Sequence, residues 1–336
     1  MIIFLSNFGP DKNGLVNFNH KILSDFKALN FSTIETSRFH FVVAALKLLT
    51  SSKVELVYIT ISDNHLGFFK DLLLLLVCRL KNFRVLAHSH SGRIASFLSV
   101  GFVRNFYEIF ADRIIVLSDK FIPQTNNRQK YAVVQNIARR EFYGLDLLNP
   151  RERKKEIVFV GILSEEKGVI VALKAFILSR LSADGWRLIC YGKFLNDDVY
   201  SHFNKLLDDN NLQDVVSFKY IDSNAEMVDS LARAKILLFP TRYQTEGYPL
   251  SVVESLLCGL FVISTKWRAI PDILEKFDSS VVEVDESIVE NCATKLKLAA
   301  YKNIDHDGIK EKANAFFSEE KFHKEMVIHF NLKSLT

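Results

Sequence analysis

Two carboxylates at a fixed spacing are the strongest chemical signal in the chain. Glu246 and Glu254 flank Gly247-Tyr248-Pro249-Leu250-Ser251-Val252-Val253, in a stretch running from Phe239 to Gly259. The apolar run Ile236–Phe239 reads as a buried strand. Pro249 suits the first turn of a helix, and Gly259 suits the position just past its end. A helix start behind a glycine-containing loop offers free amides and a partial positive charge, which favour a phosphate. A carboxylate touching a diphosphate would be repelled. Glu246 and Glu254 should therefore flank the phosphates and accept hydrogen bonds from sugar and ribose hydroxyls.

Other residues carry weaker signals. Lys167 ends the segment Phe159-Val160-Gly161-Ile162-Leu163-Ser164-Glu165-Glu166-Lys167-Gly168, a strand followed by a loop. Its ammonium is a compact point charge that suits a phosphate. His88 and His90 lie in Ala87-His88-Ser89-His90-Ser91-Gly92-Arg93 after an apolar run, where alternation puts both on one side. Asp305-His306-Asp307 spells a short acidic metal motif, but it precedes Gly308 and a helical stretch and reads as a helix cap. No ligand set with metal spacing accompanies the histidines, so no metal is expected. No dinucleotide fingerprint, P-loop or nucleophile elbow is present.

The elements that must hold these residues alternate as in a parallel sheet covered by helices. Strands are predicted at Ile2–Ser6, 54–60, Arg84–His88, 113–117 and 132–135, with helices over 18–29 and 68–80. The polar, charged run 149–156 reads as a linker. Strands then resume at 157–160, Arg187–Tyr191, 215–219, 236–240, 261–264 and 280–284. The expected fold class is α/β, with a first Rossmann-like domain over 1–150 and a second over 151–316. A helical tail over 317–336 is free to pack on either. Two such domains facing each other would leave a cleft at the carboxyl ends of their strands.

The pattern E-G-Y-P-L-S-V-V-E resembles the signature of the retaining family 4 glycosyltransferases, of the bacterial surface-polysaccharide type, whose fold is GT-B. That resemblance implies that Glu246 contacts the donor sugar and Glu254 the ribose. It puts Gly247, Tyr248, Pro249 and Leu250 near the sugar and phosphates. The segment from Gly161 to Gly168 resembles the family's loop ending in Lys-Gly, so Lys167 would neutralise the diphosphate. The family often has an arginine where this chain has Ile162, and Arg242 or Arg268 could compensate. The 264–272 loop, Tyr191-Gly192-Lys193 and Gln135-Asn136 also resemble family segments, with Asp272 for the usual glutamate, one glycine for two, and no proline before Asn136. Gly14 stands where the family carries a glycine pair that lets the sugar approach. The His88–Arg93 segment resembles a His-x-His-Gly motif, with His90 meeting the donor sugar or the acceptor hydroxyl.

The resemblance implies transfer of a hexose-type sugar, with retention, from a nucleoside diphosphate to a glycan or lipid-linked glycan in polysaccharide biosynthesis. It implies no cofactor beyond the sugar nucleotide. A sugar-nucleotide epimerase of the same fold and a non-catalytic subunit of an assembly complex remain as alternatives. Composition agrees with a globular protein: 49% apolar, 24% charged, net charge +4. That charge does not call for nucleic acid. Four separated cysteines without a CxxC pair read as buried thiols of a cytoplasmic protein. No signal peptide or membrane span is expected. Leu72–Val77 reads as a buried helix core, with peripheral contact at the inner face of a membrane as the second reading.

Overall fold

The computed structural model describes residues 1–8, 14–29, 31–36, 40–143 and 152–330. Contacts divide the chain into two units. The first contains Met1–Ile137, Thr245–Tyr248 and the segment from Glu319 onward; the second contains Ala138–Gln244 and Pro249–Ser318. The change of unit at Ile137/Ala138 falls ahead of the expected boundary at 150. Of the expected linker, 149–151 lie outside the described residues, and Glu156 already opens a strand.

The first unit is a six-stranded parallel sheet: β1 (Ile2–Ser6), β2 (Phe31–Glu35), β3 (Leu56–Thr60), β4 (Arg84–His88), β5 (Arg113–Val116) and β6 (Tyr131–Val133), in the order β2-β1-β3-β4-β5-β6. β1 and β3 are buried at every position because each has a neighbour on both sides and helices on both faces. The edge strand β2 was not expected from the sequence. Only Ile34 of its five residues is buried, so it carries no apolar run. The helices are α1 (Gly14–Asp25), α2 (His40–Thr50), α3 (His65–Leu80), α4 (Ile94–Leu98) and α5 (Gly101–Phe110). Half of Leu72–Val77 is buried, namely Leu74, Leu75 and Val77, while Leu72 and Leu73 are half-buried and Leu76 is exposed.

The second unit repeats the design with β7 (Glu156–Val160), β8 (Arg187–Tyr191), β9 (Val216–Lys219), β10 (Ile236–Phe239), β11 (Phe261–Thr265) and β12 (Ser279–Val282), ordered β12-β11-β10-β7-β8-β9. Its helices are α6 (Val169–Ser179), α7 (Asp197–Asp209), α8 (Asn224–Arg233), α9 (Leu250–Leu257), α10 (Ile270–Leu274), α11 (Ile288–Tyr301) and α12 (His306–Phe316). Pro249 caps α9 rather than entering its first turn, and Gly259 follows its end as expected. Asp305 caps α12, accepting from the Gly308 amide at 2.9 Å.

The last helix, α13 (Glu319–Phe330), belongs to the first unit. Glu319 pairs with Lys21 at 2.8 Å, His323 meets Asp25 at 3.0 Å, and Phe330 packs on Phe26, Phe31 and Tyr58. All four cysteines are buried and free, and burial pushes the thiols of Cys78, Cys258 and Cys292 up to about 12. No described helix is long and apolar enough to cross a membrane.

Candidate functional site

In the second unit the chain starts at β7, runs outward through β8 and β9, and returns to β10 on the other side of β7. Such a reversal leaves a crevice at the carboxyl ends of the two central strands. The loops after β7 and β10 are the two segments singled out by sequence. They are joined there: the Arg242 amide donates to the Glu166 carbonyl at 2.7 Å, and the Thr241 hydroxyl does so at 3.5 Å. Gly168 makes the approach possible. Its φ is +91°, and a Cβ there would lie 2.2 Å from the Pro240 carbonyl oxygen.

Lys167 is held in the same place, its ammonium 4.7 Å from the centre of the Tyr243 ring and 5.7 Å from that of Phe239. A cavity of about 550 Å³ opens beside it, lined by Ile162, Glu165, Lys167, Leu195, His202 and Tyr243 among others. Ile162 is 53% exposed on this wall, so the position at which the chain departs from the family's frequent arginine presents an aliphatic surface. Gly161, at the end of β7, pairs through its amide with the Tyr191 carbonyl. Arg242 is exposed, and Arg268 reaches Gln244 at 3.2 Å while stacking on Trp267. Neither arginine lines the cavity.

Glu254 sits one turn into α9 with its side chain 4% exposed. Its partner is Arg139, a residue that the sequence reading passed over. Arg139 Nε donates to Oε1 at 2.8 Å and Nη2 to Oε2 at 2.7 Å. The third arm, Nη1, donates to Asn224 Oδ1 at 2.6 Å, and Asn224 Nδ2 in turn donates to Glu141 at 3.0 Å. Although burial alone would lower it, the Arg139 pKa is held above its ordinary value by Glu254. α9 has no side-chain cap, so its first amides are left to other partners.

The first unit carries a group of its own. His88 and His90 leave the end of β4 on one side, as alternation requires, with ring centres 4.1 Å apart. His88 is fully buried and shares a 2.6 Å hydrogen bond with the Tyr58 hydroxyl. His90 is half-buried against Phe18 and shares a 3.3 Å hydrogen bond with Asn136 Oδ1. Asn136 Nδ2 donates to the Tyr248 carbonyl, also at 3.3 Å. A carbonyl can only accept, so the amide is oriented with Oδ1 toward His90, and the imidazole proton belongs on Nδ1. Burial pushes the His90 pKa down to about 4 and that of His88 well below its ordinary value, so both rings are neutral at pH 7.

Gly247 lies against His90: a Cβ on it would stand 2.6 Å from the His90 carbonyl oxygen. Its neighbours Glu246 and Tyr248 are buried. The Gly92 amide donates to the Thr245 carbonyl at 3.3 Å. His90 also borders a cavity of about 620 Å³ at the β1/β3 reversal, with Asn7, Thr60, Asp63, Leu66 and Lys70. Asp63 is held there by the Ser91 hydroxyl and Arg93. Gly14 opens α1, and the loop before it, residues 9–13, lies outside the described residues. Leu250 is the first residue of α9. Among the described residues no group of three or more ligating side chains could hold a metal ion.

The profile of the family described as glycosyl transferases group 1 matches residues 147–323. In sequence the chain is 26% identical over 188 residues to a protein assigned as the colanic acid biosynthesis glycosyltransferase WcaL of Salmonella typhimurium, covering 51% of this chain and 43% of that protein. It is 26% identical over 141 residues to the amylovoran biosynthesis glycosyltransferase AmsK of Erwinia amylovora, covering 40% of this chain and 33% of AmsK. The chain thus matches less than half the length of either relative. In structure it is similar to Anabaena HepE crystallised with UDP and glucose: TM-score 0.75, 14% identity, all of both chains. It is also similar to the lipopolysaccharide outer core galactosyltransferase WaaB, with TM-score 0.70, 15% identity and 99% of both chains. These likenesses extend over both units and show that the fold is the two-domain α/β type expected.

Proposed function

Because the chain belongs to the glycosyl transferases group 1 family, we propose that it transfers a hexose-type sugar from a nucleoside diphosphate to a glycan or lipid-linked glycan acceptor. The setting is polysaccharide biosynthesis, with retention at the anomeric carbon. The observation that carries this reading is the junction of the β7 and β10 loops, which brings Lys167 beside Tyr243 at one strand reversal. HepE, of like fold, holds UDP and glucose.

In the reaction an acceptor hydroxyl oxygen forms the new bond to the anomeric carbon as the bond to the diphosphate oxygen breaks, and the hydroxyl proton leaves with the released diphosphate. Lys167 and the α9 N-terminus offset the charge that grows on the leaving diphosphate, and no metal is required. Glu254 accepts from the ribose and Glu246 from the donor sugar, with Gly247–Leu250 alongside. His90 meets the donor sugar or the acceptor hydroxyl; with its proton on Nδ1 its Nε2 is an acceptor, and that atom is buried and has no hydrogen-bond partner among the described residues.

A membrane-bound acceptor is favoured by one further feature, which supports peripheral contact at the inner face of a membrane. α2, α3 and α5 each make a crossover in the same direction along the first sheet, so they cover one of its faces. Val42, Leu46 and Leu49 on α2, and Leu66, Phe69 and Leu80 on α3, are all at least 43% exposed. The only acids on these helices, Asp71 and Glu108, are buried, while Lys47 and Arg79 are exposed. An apolar face bearing only positive charge suits an anionic bilayer. It suits a second copy less well, because that would oppose like charges.

A thermal-shift screen against UDP, GDP and ADP and their sugars tests the reading. One nucleotide series should raise Tm, and Glu254→Ala and Lys167→Met should each abolish most of that rise. No shift with any nucleotide would refute a donor site here and favour a non-catalytic assembly subunit. Interconversion of the sugar nucleotide without acceptor would favour the epimerase.

A further inference from the structure

The bond between Arg139 and Glu254 constrains what that carboxylate can do for a ribose. A carboxylate has four acceptor directions: two converge between its oxygens and two diverge outward. The parallel contacts of Nε and Nη2, at 2.8 and 2.7 Å, form the side-on fork that occupies the converging pair. The guanidinium is itself fixed. Its third arm is held by Asn224, Asn224 is held by Glu141, and the guanidinium carbon lies 4.9 Å from the ring centre of fully buried Phe142. What remains on Glu254 is one outward acceptor per oxygen, pointing in different directions. Two neighbouring hydroxyls on one sugar ring cannot reach both.

We propose that Arg139 is a positioning and specificity-determining residue, which limits Glu254 to one ribose hydroxyl and neutralises its charge beside the donor diphosphate. This rests on the reading of Glu254 as the ribose contact. Arg139 supplies a cation on the nucleotide side that Ile162 does not. Its role differs from that of Lys167, since its charge is spent on the carboxylate.

The test is isothermal titration of the whole chain with UDP, 2′-deoxy-UDP, 3′-deoxy-UDP and 2′,3′-dideoxy-UDP, with the guanosine and adenosine series run in parallel. For the wild type, one monodeoxy analogue should bind within about threefold of the parent. The other should bind about 10- to 100-fold more weakly, the range expected for one hydrogen bond to a charged group. The dideoxy compound should be no weaker than the sensitive monodeoxy one. In Arg139→Met the converging acceptors are released, so removing either hydroxyl should weaken binding, and overall affinity should fall. Arg139→Lys keeps the charge without the fork. It should retain affinity within a few-fold yet lose the one-hydroxyl pattern, and it serves if the methionine variant does not fold. A loss equal for all four ligands in both variants would make Arg139 merely structural and overturn the proposal while leaving the transferase reading intact. Failure of the wild type to bind any of the nucleotides would overturn both.

Discussion

Replacing Gly247 by alanine isolates a steric effect at the site. The new Cβ would stand 2.6 Å from the His90 carbonyl oxygen and 2.9 Å from Leu117 Cδ1. Ordinary carbon–oxygen contacts begin near about 3.3 Å, so roughly 0.7 Å must be absorbed, and one of the two obstacles is backbone. Overpacking of this size costs about 1–3 kcal/mol. The displacement falls between Glu246 and Tyr248 and against His90, where an error of about 1 Å in positioning lowers rate about 100-fold. Gly185 is the control. Its φ is +78°, and nothing lies within 4 Å of its Cβ position. Alanine there incurs only the left-handed backbone cost of about 1–2 kcal/mol. Both variants should therefore lose comparable stability in urea, but only Gly247→Ala should lose sugar transfer, by tenfold or more. Wild-type turnover in Gly247→Ala would mean that the Thr245–Tyr248 segment does not rest on His90 as described.

Two other perturbations have defined outcomes. The His90 and His306 pKa values lie at about 4, chiefly through burial, so the unfolded chain takes up protons on them first as pH falls below about 6.5. Stability is thus full above that value and declines toward pH 4. The decline amounts to about 2 kcal/mol by pH 5 for His90 and less for His306, whose partial exposure to solvent weakens the effect. Urea midpoints at pH 7.5 and 5.0 should show it, and His306→Gln should flatten the dependence; an unchanged slope would exclude that histidine as a source. Separately, the protein should float with phosphatidylglycerol vesicles and not with neutral ones. Leu66→Ser with Phe69→Ser should lower that partitioning at least tenfold, about 1.4 kcal/mol; equal binding to both vesicle types, or none, would refute the membrane-facing assignment.

The sequence was legible where a strand is central or a turn demands a particular residue. β1, β4 and β8 were read to the residue because strands buried on both faces leave continuous apolar runs. The β7 and β10 loops were found because Gly168, Gly247 and Pro249 mark places where the backbone must turn or approach closely. β2 was missed because an edge strand with one buried residue looks like a loop. α2, following it, was missed with it: its apolar residues include many that stay exposed, so no one-sided pattern marks the helix. Arg139 was invisible for a different reason. An arginine within Arg-Arg-Glu signals only a charged turn, and its partner is 115 positions away. The Asn136 link from His90 to Tyr248 likewise depends on three segments distant in the chain.

The position of α13 bears on how the protein is made. Phe322, Met326 and Phe330 are buried in the first unit, on aromatic residues contributed by its earliest elements. A ribosome that has finished residue 137 must add nearly two hundred more before that helix exists. At about 5–20 residues per second this takes about 10–40 s. Throughout that interval the nascent first sheet displays Phe18, Phe26 and Tyr58 without their cover, while the second unit is synthesised and free to fold ahead of it. Order of synthesis and order of completion are therefore uncoupled: the unit whose sheet is made first is covered last, and a variant lacking α13 would be damaged in that unit.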